Sequence, residues 1–267
     1  QRVLGMNEPE PERVEWNHRD FGNVIHDVLE SWGRDKVLRD SADAAEIRKW
    51  LEQSLDELVS RHFGEELPLA VSLQVESMRL RLGWFSEEQA KIRAQGWRIV
   101  EVEKNFELEI GGATVSGQID RIEKNDDGRV RVLDYKSSKE AKDVVREHQR
   151  KFRNDPPAHL RVEEVMAPGG AIWTNLQVPF YADAFGKVDE IGYFALGQDE
   201  ANVKVTPWDG FGDEEKVSAR RCAEWIVGQV QQEIFWPPAK KVTYDDFEDL
   251  AFGRELAEAF SGKGGVE

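Results

Sequence analysis

Two apolar, β-rich runs around a tight turn constrain this chain more than any other stretch. Gly117 to Lys136 reads GQIDRIEKNDDGRVRVLDYK, and the cluster Asn125-Asp126-Asp127-Gly128 between the runs predicts a hairpin. If the loop is Asp126-Asp127-Gly128, with the glycine last and left-handed, Asn125 pairs with Arg129 and Asp120 falls opposite Asp134. Successive strand residues alternate, so Asp134 and Lys136 leave one face and Tyr135 the other. Two carboxylates facing each other across a ladder repel, and a divalent cation between them would remove that penalty. A lysine two residues beyond suits metal-assisted phosphodiester hydrolysis, where it orients a water or neutralises charge on a phosphate. A surface hairpin with scattered charges meets the same pattern, so the choice rests on the rest of the chain.

At 267 residues, 40% hydrophobic and 33% charged, the chain is long enough for a substantial core. One cysteine, Cys222, excludes an internal disulfide and any cysteine-only zinc or iron–sulfur site made by this chain alone. No run approaches the length of a membrane span and no signal-peptide pattern opens the chain, so the expectation is a soluble cytoplasmic protein without a membrane partner. The first residue is Gln1, which suggests an excerpt of something longer. The net charge of −16 opposes long-range attraction to nucleic acid. It is uneven: from Arg129 to Arg153 nine basic residues face four acidic ones, a local excess of five. A solvated helix face accounts for that strip equally well.

Gln1 to Glu15 reads as a polar lead-in. Asp20 is placed to cap a helix running to about Gly33, with Phe21, Val24, Ile25, Val28, Leu29 and Trp32 at helical spacing. His26 lies one turn after Gly22 on that helix, where the glycine leaves room beside the imidazole. Ser41 to Phe63 and Leu69 to Gln95 read as further amphipathic helices. From Trp97 to Ile110 the period changes to strand, Gly111-Gly112 turns it, and Ala113 to Ile122 with Val130 to Lys136 completes a three-stranded meander. Glu103 alternates on the first strand and reads as a surface residue, with a place at the site as the alternative. Glu140 to Phe152 reads as a basic helix or helical lead, Asn154 to Gly170 as a long loop that could guide substrate, and Ala171 to Phe185 as a helix that Pro179 is placed to bend. On it Gln177 and Tyr181, four apart, share a face. Ile191 to Leu196 and Val203 to Thr206 read as strands, Glu214 to Glu233 as a helix stopped by Phe235-Trp236-Pro237-Pro238, Tyr244 to Phe260 as an acidic helix, and Ser261 to Glu267 as a tail.

The phrases GNVIHDVLE, GQIDRIE, VLDYKSS and LQVPFYADAF resemble, in this order, the G-x-x-x-H, G-x-x-D-R, D-Y-K and Q-x-x-x-Y motifs of the PD-(D/E)xK nucleases, in the branch of the RecB- and AddB-type domains of bacterial helicase–nuclease complexes. The resemblance spans Gly22 to Tyr181. It implies an α/β fold (mixed α+β), a central mixed sheet flanked by helices with a helical N-terminal section. It implies metal ligands at His26, Asp120 and Asp134 with the Tyr135 carbonyl, a cofactor of Mg²⁺ or Mn²⁺, and a catalytic Lys136. Asp120 and Asp134 would share in catalysis, and Gln177 and Tyr181 would line the site. Many relatives hold an iron–sulfur cluster with four cysteines; with only Cys222 here, no cluster is expected, and the helix from Tyr244 would cover that edge. The opening QRVLGM resembles the end of the helix that leads into such domains.

The expected organisation is a helical section over 1–96 contributing the histidine, a nuclease core over 97–210, and C-terminal helices over 211–267. The expected function is a Mg²⁺- or Mn²⁺-dependent DNA nuclease of exonuclease type within a larger helicase–nuclease. Its partners would be a DNA end, single- or double-stranded, and a helicase-type domain or subunit. Arg121, Lys139, Lys142, Arg146 and Arg150 are the expected nucleic-acid contacts. A nuclease-like docking module that no longer cuts is the alternative, and an acidic interaction domain a third.

Overall fold

The computed structural model describes residues 15–64, 66–152, 160 and 162–234. The expected stop at Phe235 to Pro238, the helix from Tyr244 and the tail lie outside the described residues. Three helices come first: α1 (His18–Arg34), α2 (Ala44–Phe63) and α3 (Leu69–Ala94). Asn17, not Asp20, caps α1: its side chain accepts the Asp20 amide, which places Asp20 inside the first turn. Asp43 caps α2 in the same way, so that helix starts three residues later than expected.

The meander follows as β1 (Arg98–Ile110), β2 (Ala113–Lys124) and β3 (Val130–Lys136). Gly111 and Gly112 both have positive φ, 58° and 80°, which a two-residue hairpin turn demands. At the second turn the Asn125 amide donates to the Arg129 carbonyl and Gly128 takes φ 83°. The expected register follows: Arg121 pairs with Leu133 and Lys124 with Val130.

The next segment departs from expectation. In place of a basic helix over 140–152 there is one short turn, α4 (Val144–His148), capped by Asp143, and then β4 (Gln149–Arg150). In place of a helix from Ala171 there are β5 (Met166–Ala167), β6 (Ala171–Trp173) and a later helix, α5 (Gln177–Phe185). Trp173 and Ile172 pair with Gln149 and Arg150, so the apolar Ala-Ile-Trp run is a strand of a small sheet, order β4-β6-β5. Asn175 then accepts the Gln177 amide, a local turn that starts the helix afresh. Pro179 therefore sits in the first turn of α5, where its missing N–H costs no intrahelical bond and bends nothing. The described part of the expected 154–170 loop holds β5 and two 3₁₀ turns.

β7 (Glu190–Leu196), β8 (Val203–Pro207) and α6 (Asp213–Gln231) complete the described chain. The main sheet has order β1-β2-β3-β7-β8, with β3 and β7 parallel and the other neighbours antiparallel. One face packs Leu133, Tyr135, Phe194 and Leu196 against α1–α3, around Trp32 and Phe85. The other packs Val132, Ile191 and Tyr193 against α5, α6 and the small sheet, around Tyr181, Trp208 and Cys222. β3 is thus covered on both sides, which explains a run of buried residues from Arg131 to Tyr135 in place of alternation. No helix among the described residues is long and apolar enough to cross a membrane.

Candidate active site

The β2–β3 ladder stops where the site begins. Its last pair is Arg121 with Leu133, and the same register carried one step further would set Asp120 against Asp134. There the Tyr135 amide leaves the ladder and donates to Asp120 Oδ2 at 2.7 Å. Both aspartates are buried, at 8% and 2% exposure. Burial, and next the charge of Asp134, push the Asp120 carboxyl well above its ordinary range.

α1 brings His26 to the same point. Its Nε2 lies 3.1 Å from the Tyr135 carbonyl oxygen, an acceptor, so the proton is assigned to Nε2. The Nδ1 lone pair then faces Asp120 Oδ2 at 3.6 Å. Burial lowers the His26 pKa and favours this neutral imidazole. Gly22 does not leave space for a ligand: a Cβ there would sit 3.2 Å from Ser137 Oγ, so the glycine lets α1 close on the chain leaving β3.

Glu103 is a candidate site residue that the strand pattern hides. It, His26 and Asp120 each offer an atom within 4.8 Å of the others. Its backbone has φ 48°, the left-handed region, which costs a residue with a side chain about 1–3 kcal/mol and is typical of functional sites. Burial first, then the charge of Glu30, raises its pKa to about 7. The Gly111-Gly112 turn holds the missing signal. It pairs Ile110 with Ala113, and the same register pairs Lys104 with Ile119 and Val102 with Arg121, leaving Glu103 opposite Asp120.

A second group lines the α5 side of β3. Lys136 Nζ lies 2.6 Å from Asp134 Oδ2 and donates to Gln177 Oε1 at 3.2 Å. Gln177 Nε2 donates to the Tyr181 hydroxyl at 2.8 Å, and that hydroxyl donates to Asp134 Oδ1 at 3.0 Å. Burial and the nearby Asp134 raise the Tyr181 pKa, keeping the hydroxyl a donor. The four-residue spacing of Gln177 and Tyr181 thus closes a ring with Lys136 and Asp134.

The expected nucleic-acid contacts divide. Arg121 is fully buried: its guanidinium pairs with Glu123 and donates to Gln89 and the Tyr135 hydroxyl. It is a core group and cannot touch a strand, because it sits on the β2 face covered by α3. Lys142 and Arg146 are exposed but pair with Glu147 and Asp143. Lys139 is exposed without a carboxylate partner among the described residues, and Arg150 lies over the Phe152 ring at 4.8 Å.

A family model of the PD-(D/E)XK nuclease superfamily matches residues 1–247. The chain belongs to the PD-(D/E)XK nuclease superfamily. It is also 30% identical over 144 residues, 53% of its length, to an ATP-dependent helicase/deoxyribonuclease subunit of Streptococcus equi subsp. zooepidemicus (strain H70). The chain spans 13% of that relative's length. This likeness agrees with the RecB/AddB-type branch of the superfamily.

The residues present fit the divalent cation that superfamily nucleases generally use. An imidazole lone pair and two carboxylates converge from three elements, with oxygen donors in the majority. Without a cation the histidine lone pair and an ionised Asp120 oxygen would repel. Asp134 is held by Lys136 and Tyr181.

Proposed function

We propose that this chain is a metal-dependent deoxyribonuclease domain that hydrolyses phosphodiester bonds at a strand end. The observation that carries it is the meeting of the His26–Glu103–Asp120 cluster with the Lys136–Asp134–Gln177–Tyr181 ring across the end of β3. His26, Glu103 and Asp120 would hold the cation, with Asp134 and the Tyr135 carbonyl beside them. When bound, Mg²⁺ or Mn²⁺ supplies charge against the phosphate and lowers the pKa of water.

The remaining chemistry belongs to the chain. Lys136 places a positive charge beside the carboxylates, where negative charge grows on the phosphate during attack. Gln177 and Asp134 fix that ammonium, so it need not reorganise as the reaction proceeds. Tyr181 fixes both of them in turn. Neutral His26 keeps its lone pair free because the Tyr135 carbonyl takes its proton-bearing nitrogen.

The test is incubation with end-labelled single- and double-stranded DNA, in Mg²⁺, in Mn²⁺ and in chelator. Metal-dependent cleavage that Asp120→Asn abolishes is the expected result. Absence of cleavage with every metal would favour a silent, DNA-binding relative. Similarity to a helicase/deoxyribonuclease subunit supports a place within a larger helicase–nuclease, acting in DNA repair or recombination.

A further inference from the structure

His148 is buried at 0% exposure, and the chemistry described so far makes no use of it. It ends α4, outside the motif phrases. Its Nδ1 lies 2.9 Å from the Val144 carbonyl oxygen one turn back, an acceptor, so the proton is assigned to Nδ1. The Tyr193 hydroxyl lies 3.2 Å from the same nitrogen. Nε2 then carries the lone pair, and it accepts the Val178 amide at 3.3 Å. The rings of Tyr193 and Trp208, with centroids 5.8 and 5.2 Å away, pack against the imidazole. The backbone carbonyl of His148 takes the amides of Thr174 and Asn175, at 2.9 and 3.4 Å.

These bonds meet at the start of α5. A helix leaves its first amides without partners inside the helix, and no side chain caps this one at Leu176. The Gln177 amide goes to Asn175 Oδ1, Pro179 has no N–H, and Phe180 bonds back to the Leu176 carbonyl. The remaining donor is the amide of buried Val178, which goes to His148. Gln177, the residue before it, holds Lys136, and Tyr181 holds Asp134. The imidazole reaches Lys136 by a second route as well. The Tyr193 ring that it touches faces the Lys136 ammonium, with Nζ 5.2 Å from the ring centroid.

We infer that His148 is a positioning residue for Lys136. The neutral imidazole fixes the start of α5 and the Tyr193 ring, and so sets where the ammonium stands beside the carboxylates. The inference deepens the nuclease reading and rests on it for what Lys136 does. A misplacement of about 1 Å, even from a change far from the chemistry, costs on the order of a hundredfold in rate. The geometry also says which atom of His148 matters. A glutamine side chain can present its oxygen near the Nε2 position, whereas asparagine is shorter and reaches only the Nδ1 position.

The test measures kcat and KM on end-labelled single-stranded DNA with Mn²⁺, for the protein, His148→Gln, His148→Asn, Gln177→Ala and the double variant of His148→Asn with Gln177→Ala. His148→Asn should lower kcat by roughly ten- to a hundredfold, with KM and Mn²⁺ affinity unchanged. His148→Gln, which keeps an acceptor for Val178, should stay near the parent. In the Gln177→Ala background His148→Asn should cost much less than it does alone, because both changes act on one ammonium. A histidine that only supports the fold would add its loss in full. Equal losses in His148→Gln and His148→Asn, or the full loss in both backgrounds, overturns the inference. The Val178 amide gives a readout that needs no cleavage. In chelator, its hydrogen exchange relative to Phe180 should be slow in the parent and in His148→Gln and faster in His148→Asn; equal exchange in all three overturns the inference too. If the protein cleaves no DNA with any metal, the nuclease reading fails, and the exchange still decides whether His148 holds the start of α5.

Discussion

Lys136 has two anchors of different kinds, a carboxylate and an amide oxygen, and only the first neutralises it. Removing the ammonium should therefore leave the fold and the cation cluster in place while cleavage falls. Loss of one electrostatic group of this type costs on the order of a hundredfold or more in rate. Lys136→Ala, assayed for kcat beside a Mn²⁺ titration, should show that loss with metal binding retained; near-normal turnover would reduce Lys136 to a surface charge. Glu103 gives a second test at this scale. Its folded pKa, about 7, lies above the ordinary 4.5, so between those values the folded protein binds more protons than the unfolded chain. Stability from this group is complete below the unfolded pKa and is lost as pH rises through about 7. Asp120, also raised, acts in the same direction. In chelator, the melting temperature should drop between about pH 5 and 7, and Glu103→Gln should flatten the drop. An equally steep profile in Glu103→Gln would mean that Glu103 does not titrate there.

Elements show why the sequence revealed the hairpin and the ring but not all of the site. The Asp126-Asp127-Gly128 turn specified its own register, and α5 spacing placed Gln177 on Tyr181, because both are local geometries. Glu103 was hidden because Val100 is an extra residue in β1 and Glu103 itself turns left-handed, so strict alternation fails there. Ala171 to Trp173 looked helical because a short apolar run carries no period, and its strand partner at Gln149 is distant in sequence. Arg121 looked like a DNA contact because composition cannot show that Glu123 receives it, together with Arg131, inside the fold. That three-residue network ties β2 to β3 and lies directly behind the site. Removing one partner of a buried pair strands the others, at a cost of about 3–5 kcal/mol. Glu123→Ala should lower unfolding stability by about that amount in urea titrations. A loss comparable to that of a surface substitution would show that solvent reaches Arg121 and Arg131.

The whole molecule sets a charge problem that no single residue removes. At −16 it repels DNA at long range, and screening confines the help from Lys139 and Arg150 to about 10 Å at 0.1 M salt. Local cations can hold a strand that has arrived, but they cannot bring one in. Attachment to a strand-delivering partner would solve this, since tethering replaces capture from solution by a high effective concentration. The chain has no G-x-x-x-x-G-K-[ST] phosphate loop of its own, and the relative it resembles is a helicase/deoxyribonuclease subunit. The isolated chain should therefore bind single-stranded DNA weakly, with affinity falling as salt rises at a logarithmic slope of about −2 to −3 for three or four phosphate contacts. Fusion to a helicase-type motor should restore cleavage at salt where the isolated chain is nearly silent. A salt series on both forms measures this. Tight binding by the isolated chain with little salt dependence would mean that it captures strands unaided, and the delivered-strand reading would have to be abandoned.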